Sequence, residues 1–355
     1  MELVNASSSL TVITEDLISE KTVLISAVII RVCVNSALAF CALITNTINV
    51  IVFRKMGIDH STESFLILSI ADGLVGLVGT FAGVCNGLRY MASPQLASSM
   101  YPIYILLLAA ATVPSLTSLV STTIIAVVRC CCVTLPLHVR TVFTARRQRF
   151  SIIFCTVVSL AFLSYGLSGT ELRVGVHPNT NYSQLMITFH PEYIERNRFA
   201  DFYRGIMFYV CFSTVLICLV CLVIALKRSS KFRSNSWNTE STRGSQNKEN
   251  SHGNSQLSKG GRRFKLGSKE TQVVKVVVLV SAVFTVSNLP VMVASILRQA
   301  VPEFSNIGKF KRSFDFTMIL VECFLLANTT INILIYLKFN SRYYTSFLEV
   351  IGRKK

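Results

Sequence analysis

The sequence predicts an all-α fold: a seven-transmembrane helix bundle with a short amphipathic eighth helix. Three observations carry this. Of 355 residues, 51% are hydrophobic and only 15% charged, against about 25% charged in an ordinary soluble domain, and the mean hydropathy is +0.53. Seven apolar runs are each long enough to cross a bilayer, since about 20 helical residues span the ~30 Å hydrocarbon core. The residues after the last run repeat large apolar side chains every four positions.

The runs are Val32 to Phe53, Ser64 to Leu88, Met100 to Val128, Phe150 to Thr170, Gly205 to Leu226, Val276 to Leu297 and Phe316 to Leu337. Only Asp72 and Glu322 place an acid inside them, in the second and seventh. They are continuous in Leu, Ile, Val and Phe rather than alternating, which favours helices over a membrane barrel. Phe339, Tyr343, Phe347 and Ile351 then fall on one face of a short helix suited to a membrane surface.

Charge sets the expected orientation. With the N-terminus outside, the outer segments hold ten basic residues and the inner segments twenty-two, as the positive-inside rule requires. The formal charge of +17 therefore marks the face that meets anionic lipid. It is diluted in apolar sequence, so nucleic acid is not an expected partner. The expected location is the plasma membrane, with an extracellular N-terminus and a cytoplasmic C-terminus. Residues 1–26 form the outer N-terminus, 27–338 the membrane domain and 339–355 the amphipathic helix and tail. Within the membrane domain, 227–270 is rich in Ser, Asn, Gly, Lys and Arg and is expected to be a disordered inner loop. Thr170 to Tyr203 is expected as a long, polar outer loop. Glycosylation sequons begin at Asn5 and Asn181 in outer segments. Met1 to Glu20 lacks a basic stretch, so no cleavable signal peptide is expected.

The eleven cysteines lie in or beside apolar runs with no zinc-like spacing, and read as small buried hydrophobes. A Cys33–Cys85 bridge is left open. Polar groups within the spans say more, because they are costly in lipid. Asn46, Ser118, Asn328 and Asn332 can reach the depth of Asp72. The residues allow either a monovalent-cation site, with sodium the ion, or a hydrogen-bonded packing network without one. No other metal or cofactor is expected. At the outer end, Glu322 can meet a cationic ligand group or pair with Arg31, which lies at a comparable depth.

The motifs together resemble the rhodopsin-like, class A G-protein-coupled receptors over all seven spans. They are Thr45-Asn46 through Phe53; Leu68-Ser69-Ile70-Ala71-Asp72; Val128-Arg129-Cys130 followed by Pro136-Leu137; Phe284-x-x-Ser287-Asn288-x-Pro290; and Asn332-Ile-Leu-Ile-Tyr336. The resemblance implies a receptor, not an enzyme, that binds an extracellular small molecule or short peptide and activates a heterotrimeric G protein. It implies that Arg129, Phe284, Pro290 and Tyr336 belong to the switch, and that Arg129 pairs with Glu270, twenty residues before Pro290, in the inactive state. Glu322, Arg31 and Asn288 become the candidate ligand contacts. Receptor kinase and arrestin join the expected partners, with Ser229, Ser234 and Ser241 among the candidate phosphate acceptors.

The chain departs from the family pattern at several positions. The acid before Arg129 is Val128, Asn288 stands at the Trp switch position, and the fourth helix has no Trp and the fifth no Pro. Both halves of the usual outer disulfide are missing, with Tyr104 near the third-helix position. The seventh span carries Leu326 where an opsin has its Schiff-base Lys, and the third carries Ala111 where amine receptors have Asp. The string Asn46 to Gly57 is similar to invertebrate peptide receptors and molluscan chemosensory receptors. A chemosensory receptor is expected; a neuropeptide (FMRFamide-like) receptor and, less so, a secondary transporter are the alternatives.

Overall fold

The computed structural model describes residues 16–57, 62–134, 144–176, 182–243, 268–301, 303–305 and 308–352, with the side chains of 94–95, 228–243 and 268–273 outside that description. Among the described residues, seven helices are long and apolar enough to cross a membrane. They are α1 (Glu20–Met56), α2 (Thr62–Met91), α3 (Pro94–Thr134), α4 (Ala145–Leu167), α5 (Tyr193–Arg243), α6 (Ser268–Ala300) and α7 (Lys311–Phe339); a short α8 (Ser341–Val350) follows. Helices are the form such runs must take, because lipid offers no partner to a backbone N–H or C=O.

Two expectations are revised. The fifth helix does not stop near Leu226 but runs to Arg243, entering the segment expected as disordered from 227. Once a helix is nucleated, each further residue adds a hydrogen bond without a new nucleation cost. The segment from Thr170 to Tyr203 is not merely a loop. β1 (Thr170–Val176) and β2 (Ser183–Phe189) pair antiparallel in the register Thr170↔Phe189 to Val176↔Ser183, and α5 already begins at Tyr193. The backbone N–H of Leu185 in β2 donates to Ser99 Oγ of α3 at 3.3 Å, which ties the hairpin to the start of that helix.

Helix starts are capped by residues that can accept a backbone N–H. Ser19 accepts from Thr22, Thr144 from Arg147 and Asn340 from Tyr343. α7 is capped from a distance: Asp16 accepts the Arg312 N–H at 2.6 Å, the Ser313 N–H and the Ser313 hydroxyl. A carboxylate there also suits the positive end of the helix dipole.

α2 packs along α1 on one side and α3 on the other, and α3 also touches α4, α5 and α6. The α1–α2 seam is tight because glycine faces it. A Cβ on Gly76 would lie 2.5 Å from the Leu43 amide nitrogen and 2.8 Å from the Ala39 carbonyl oxygen. Small residues are what allow membrane helices this approach.

Two apolar clusters hold the bundle. One, at the α8 end, joins Phe53, Phe65, Leu222, Val277, Tyr336 and Tyr343. The other, among α3, α4, α5 and α6, includes Leu119, Ile152, Phe212, Val215 and Phe284. Exposed apolar side chains such as Phe40, Ile44, Phe154 and Val157 form the surface that lipid covers.

α8 is docked rather than loose. Tyr343 is fully buried, and its hydroxyl donates to Asn49 Oδ1 at 2.6 Å. Arg342 donates to the Met56 carbonyl at 2.5 Å, and Lys55 pairs with Glu349 at 3.3 Å. Phe339 and Phe347 pack on the same cluster. Ile351 departs from the expected face: it lies past the helix end and is half exposed.

Candidate functional site

A polar layer crosses the middle of the bundle. Asp72 has no exposed surface. Its Oδ1 accepts the Ser118 hydroxyl at 2.6 Å and its Oδ2 accepts Asn332 Nδ2 at 2.9 Å. These bonds tie α2 to α3 and α7, and a buried carboxylate needs them because it has given up water. Asn46 is spent elsewhere. Its amide nitrogen donates to the Ala42 and Thr329 carbonyls, each at 2.9 Å, and its oxygen accepts Asn49 Nδ2 at 3.1 Å. Asn49 in turn accepts Tyr343. Asn46 thus joins α1, α7 and α8 rather than Asp72. Asn328, half-buried, makes no side-chain hydrogen bond among the described residues.

Below this layer, towards α8, Tyr336 is 1% exposed and packs against Phe53, Phe65 and Tyr343. Its buried hydroxyl has no hydrogen-bond partner among the described residues. Phe284 sits in the α3–α5 cluster, and Pro290 lies inside α6, where a missing N–H weakens the ladder. Asn288 is buried and donates to the Phe284 carbonyl at 2.8 Å. It therefore bonds its own helix and does not join Arg31 and Glu322. Arg129 is half-buried and partnered. The Glu270 side chain lies outside the described residues, as do Asn5, Asn181 and the serines of the 227–270 segment.

At the hairpin end of the bundle, Arg31 of α1 and Glu322 of α7 form a forked ion pair. Arg31 Nε donates to Glu322 Oε2 at 2.9 Å and Nη2 to Oε1 at 3.1 Å. Arg31 lies within a stretch of π-helix, Ala27–Val34, a rare form that often marks functional positions. Cys33 and Cys85 are both free thiols. Among the described residues no cluster of His, Cys, Asp or Glu is suited to a metal ion.

The model of the 7 transmembrane receptor (rhodopsin family) matches residues 46–336. The chain belongs to that family. It is a multi-pass membrane receptor and not an enzyme, and its family signals through heterotrimeric G proteins. No curated protein matches the chain. The matched region runs from Asn46 to Tyr336, so it contains Asp72, Arg129, Pro290 and Asn332.

The receptor also holds a cavity away from the ion pair. It measures about 120 Å³ and lies among α3, α4, α5 and the hairpin, lined by Leu106, Phe162, Leu163, Phe189, Tyr203 and Arg204 among others. None of Arg31, Glu322 and Asn288 lines it. Phe162 and Tyr203 stack there with ring centroids 4.2 Å apart. Tyr104, noted in the sequence only at the missing disulfide position, and Asn35 and Asn86, not singled out there, also stand at the ion-pair end, at 5%, 6% and 1% exposure. Asn35 follows Arg31 by one helical turn, and Asn86 is an amide within the second apolar run. Both were visible as intramembrane polar groups.

Proposed function

We propose that this receptor responds to an extracellular small molecule or short peptide that enters at the hairpin end, and that its role is chemosensory. The observation that carries the reading is the placement of Glu322, Asn332 and Tyr336 on one helix. α7 thereby joins the Arg31 ion pair, the Asp72 layer and the α8 cluster. A ligand that alters the Glu322 end acts on a rigid element whose other end meets the G-protein side. Positive-inside charge supports placing the hairpin outside and α8 in the cytoplasm of a plasma-membrane protein.

Asp72, Ser118 and Asn332 suit a sodium ion. The carboxylate supplies charge, and the Ser118 hydroxyl and Asn332 amide oxygens keep lone pairs after donating to Asp72. Such an ion would favour the state in which these three side chains stay together. On the inner side, Arg129 and Glu270 form the lock that restrains α6 until agonist binds. Arrestin and a receptor kinase act on the same face, the kinase on serines of the 227–270 segment, where phosphate offsets basic charge. The direct test is expression in cells with a G-protein readout, screened with small molecules and short peptides. The reading expects agonist-dependent activation; solute flux without any G-protein response would favour a transporter.

A further inference from the structure

The hairpin end of α1, α2, α3 and α7 carries a second polar layer, separate from the one around Asp72. At the Arg31–Glu322 end, both amide atoms of Asn86 and the hydroxyls of Tyr104 and Ser36 are buried without a hydrogen-bond partner among the described residues, and the buried Asn35 amide has Glu322 alone within reach. Tyr104 is close enough to feel the charges of both Arg31 and Glu322, and Asn35 lies against Glu322. Gly83 and Gly87, which flank Asn86 on α2, face Ser36 and Val32 of α1. Asn86 therefore stands at the depth of Arg31 and Asn35. An unmet buried polar atom costs about 1–3 kcal/mol. Such a set within one layer is expensive unless something supplies the bonds.

The charges restrict what that something is. Arg31 and Glu322 neutralise each other, so a ligand of a single charge would leave a net charge within the membrane domain. A zwitterion adds none. Its carboxylate meets Arg31, its ammonium meets Glu322, and the remaining lone pairs and protons find the Asn35 and Asn86 amides and the Tyr104 hydroxyl. The pair is not sealed within the bundle, because the Arg31 and Glu322 side chains keep 21% and 28% of their surface exposed. On the α1–α2 side the layer is closed, since a Cβ on Gly83 would collide with Ser36. At the rim, Arg89 sits over the Tyr101 ring at 4.5 Å.

We propose that this layer is the head-group site for a free α-amino acid, held through its ammonium and carboxylate by Glu322 and Arg31, with the unpartnered Asn86 amide and the Asn35 amide beside Glu322 completing its hydrogen bonds. The inference rests on the ligand-receptor reading but is tested by binding alone. The full chain, reconstituted in lipid nanodiscs, is melted with each protein L-amino acid in turn, and with the amide and the decarboxylated amine of each. The expected result is that at least one amino acid raises the melting temperature while its amide and amine do not. Arg31→Gln should weaken that response about tenfold or more, about 1.4 kcal/mol.

Because Arg31→Gln strands Glu322 and can impair folding, Asn86→Leu is the second variant. It should melt no lower than the parent without ligand, since it removes two unmet polar atoms, and should lose the amino-acid response. No shift with any amino acid, an equal shift with the amides or amines, or an Asn86→Leu protein that melts lower or keeps the response would overturn the proposal. Binding without G-protein activation would leave this site standing and remove the signalling reading. Activation by other compounds with no amino-acid binding would do the reverse.

Discussion

Asn332 of α7 donates through Nδ2 to Asp72 Oδ2 of α2 at 2.9 Å, while Ser118 of α3 holds the other carboxylate oxygen. Three helices thus meet on one fully buried acid. If a sodium ion is the further partner, sodium chloride should raise the melting temperature of the purified receptor above that in choline chloride at equal ionic strength. Asp72→Asn should abolish the difference while preserving the shape of the layer. An equal sodium response in the variant would remove the ion from the account.

The inner lock has a modest predicted magnitude. One solvent-exposed ion pair is worth about 0–1 kcal/mol, which shifts a two-state population by up to about fivefold. Glu270→Ala should therefore raise agonist-independent G-protein activity by that much at most. Basal activity equal to the parent at matched surface expression would show that Arg129 is restrained by another partner.

Removing one oxygen should loosen α8. Tyr343→Phe deletes the hydroxyl that donates to Asn49 at 2.6 Å and leaves the Asn49 oxygen buried. A loss of about 1–3 kcal/mol is expected, read as a lower melting temperature. Tyr344→Phe, at a side chain 46% exposed, should change it little.

Asp16 predicts a pH dependence. Burial alone would raise its pKa, but the Ser313 hydroxyl and the Arg312 and Ser313 N–H groups outweigh that and hold the carboxyl below the ordinary value of 3.8. A carboxyl depressed in the folded state stabilises fully above its unfolded pKa and loses that contribution as pH falls through its folded pKa. The gap between parent and Asp16→Ala should be about 0.5–2 kcal/mol, as for other caps. It should be constant near neutrality and shrink only below about pH 4. A gap that changes between pH 6 and 8 would point to a different group.

The α1–α2 seam is tested sterically. Gly76→Val places side-chain atoms against the Leu43 and Ala39 backbone, and overpacking of this kind costs about 1–3 kcal/mol. The variant should reach the cell surface poorly. Gly205→Val, where a Cβ meets nothing within 4 Å, is the control.

The seven spans were legible because lipid imposes a single demand on sequence, an apolar run of bilayer length. Their ends were not. Hydropathy reports contact with lipid, whereas α3 and α5 continue as helices beyond it, to Pro94 and Arg243. The hairpin was missed although Leu172, Val174 and Val176 alternate with other residues in β1, because its strands are short and pair only with each other. Within the site, the sequence left Glu322 between ligand and Arg31, and the structure joins it to Arg31. Asn46 shows the limit: depth alone suggested Asp72 as its partner, but rotation about α1 aims it at Thr329. Depth follows from counting residues; azimuth depends on packing.

The measurement that bears most directly on the central claim is heterotrimeric G-protein activation by the full chain in cells, read across a panel of G-protein subtypes and a library of small molecules and short peptides. The account predicts that at least one compound activates a G protein in a dose-dependent way, and that Arg129→Ala abolishes the response at unchanged surface expression. Compound-driven solute flux with no G-protein activation, unaffected by Arg129→Ala, would contradict it.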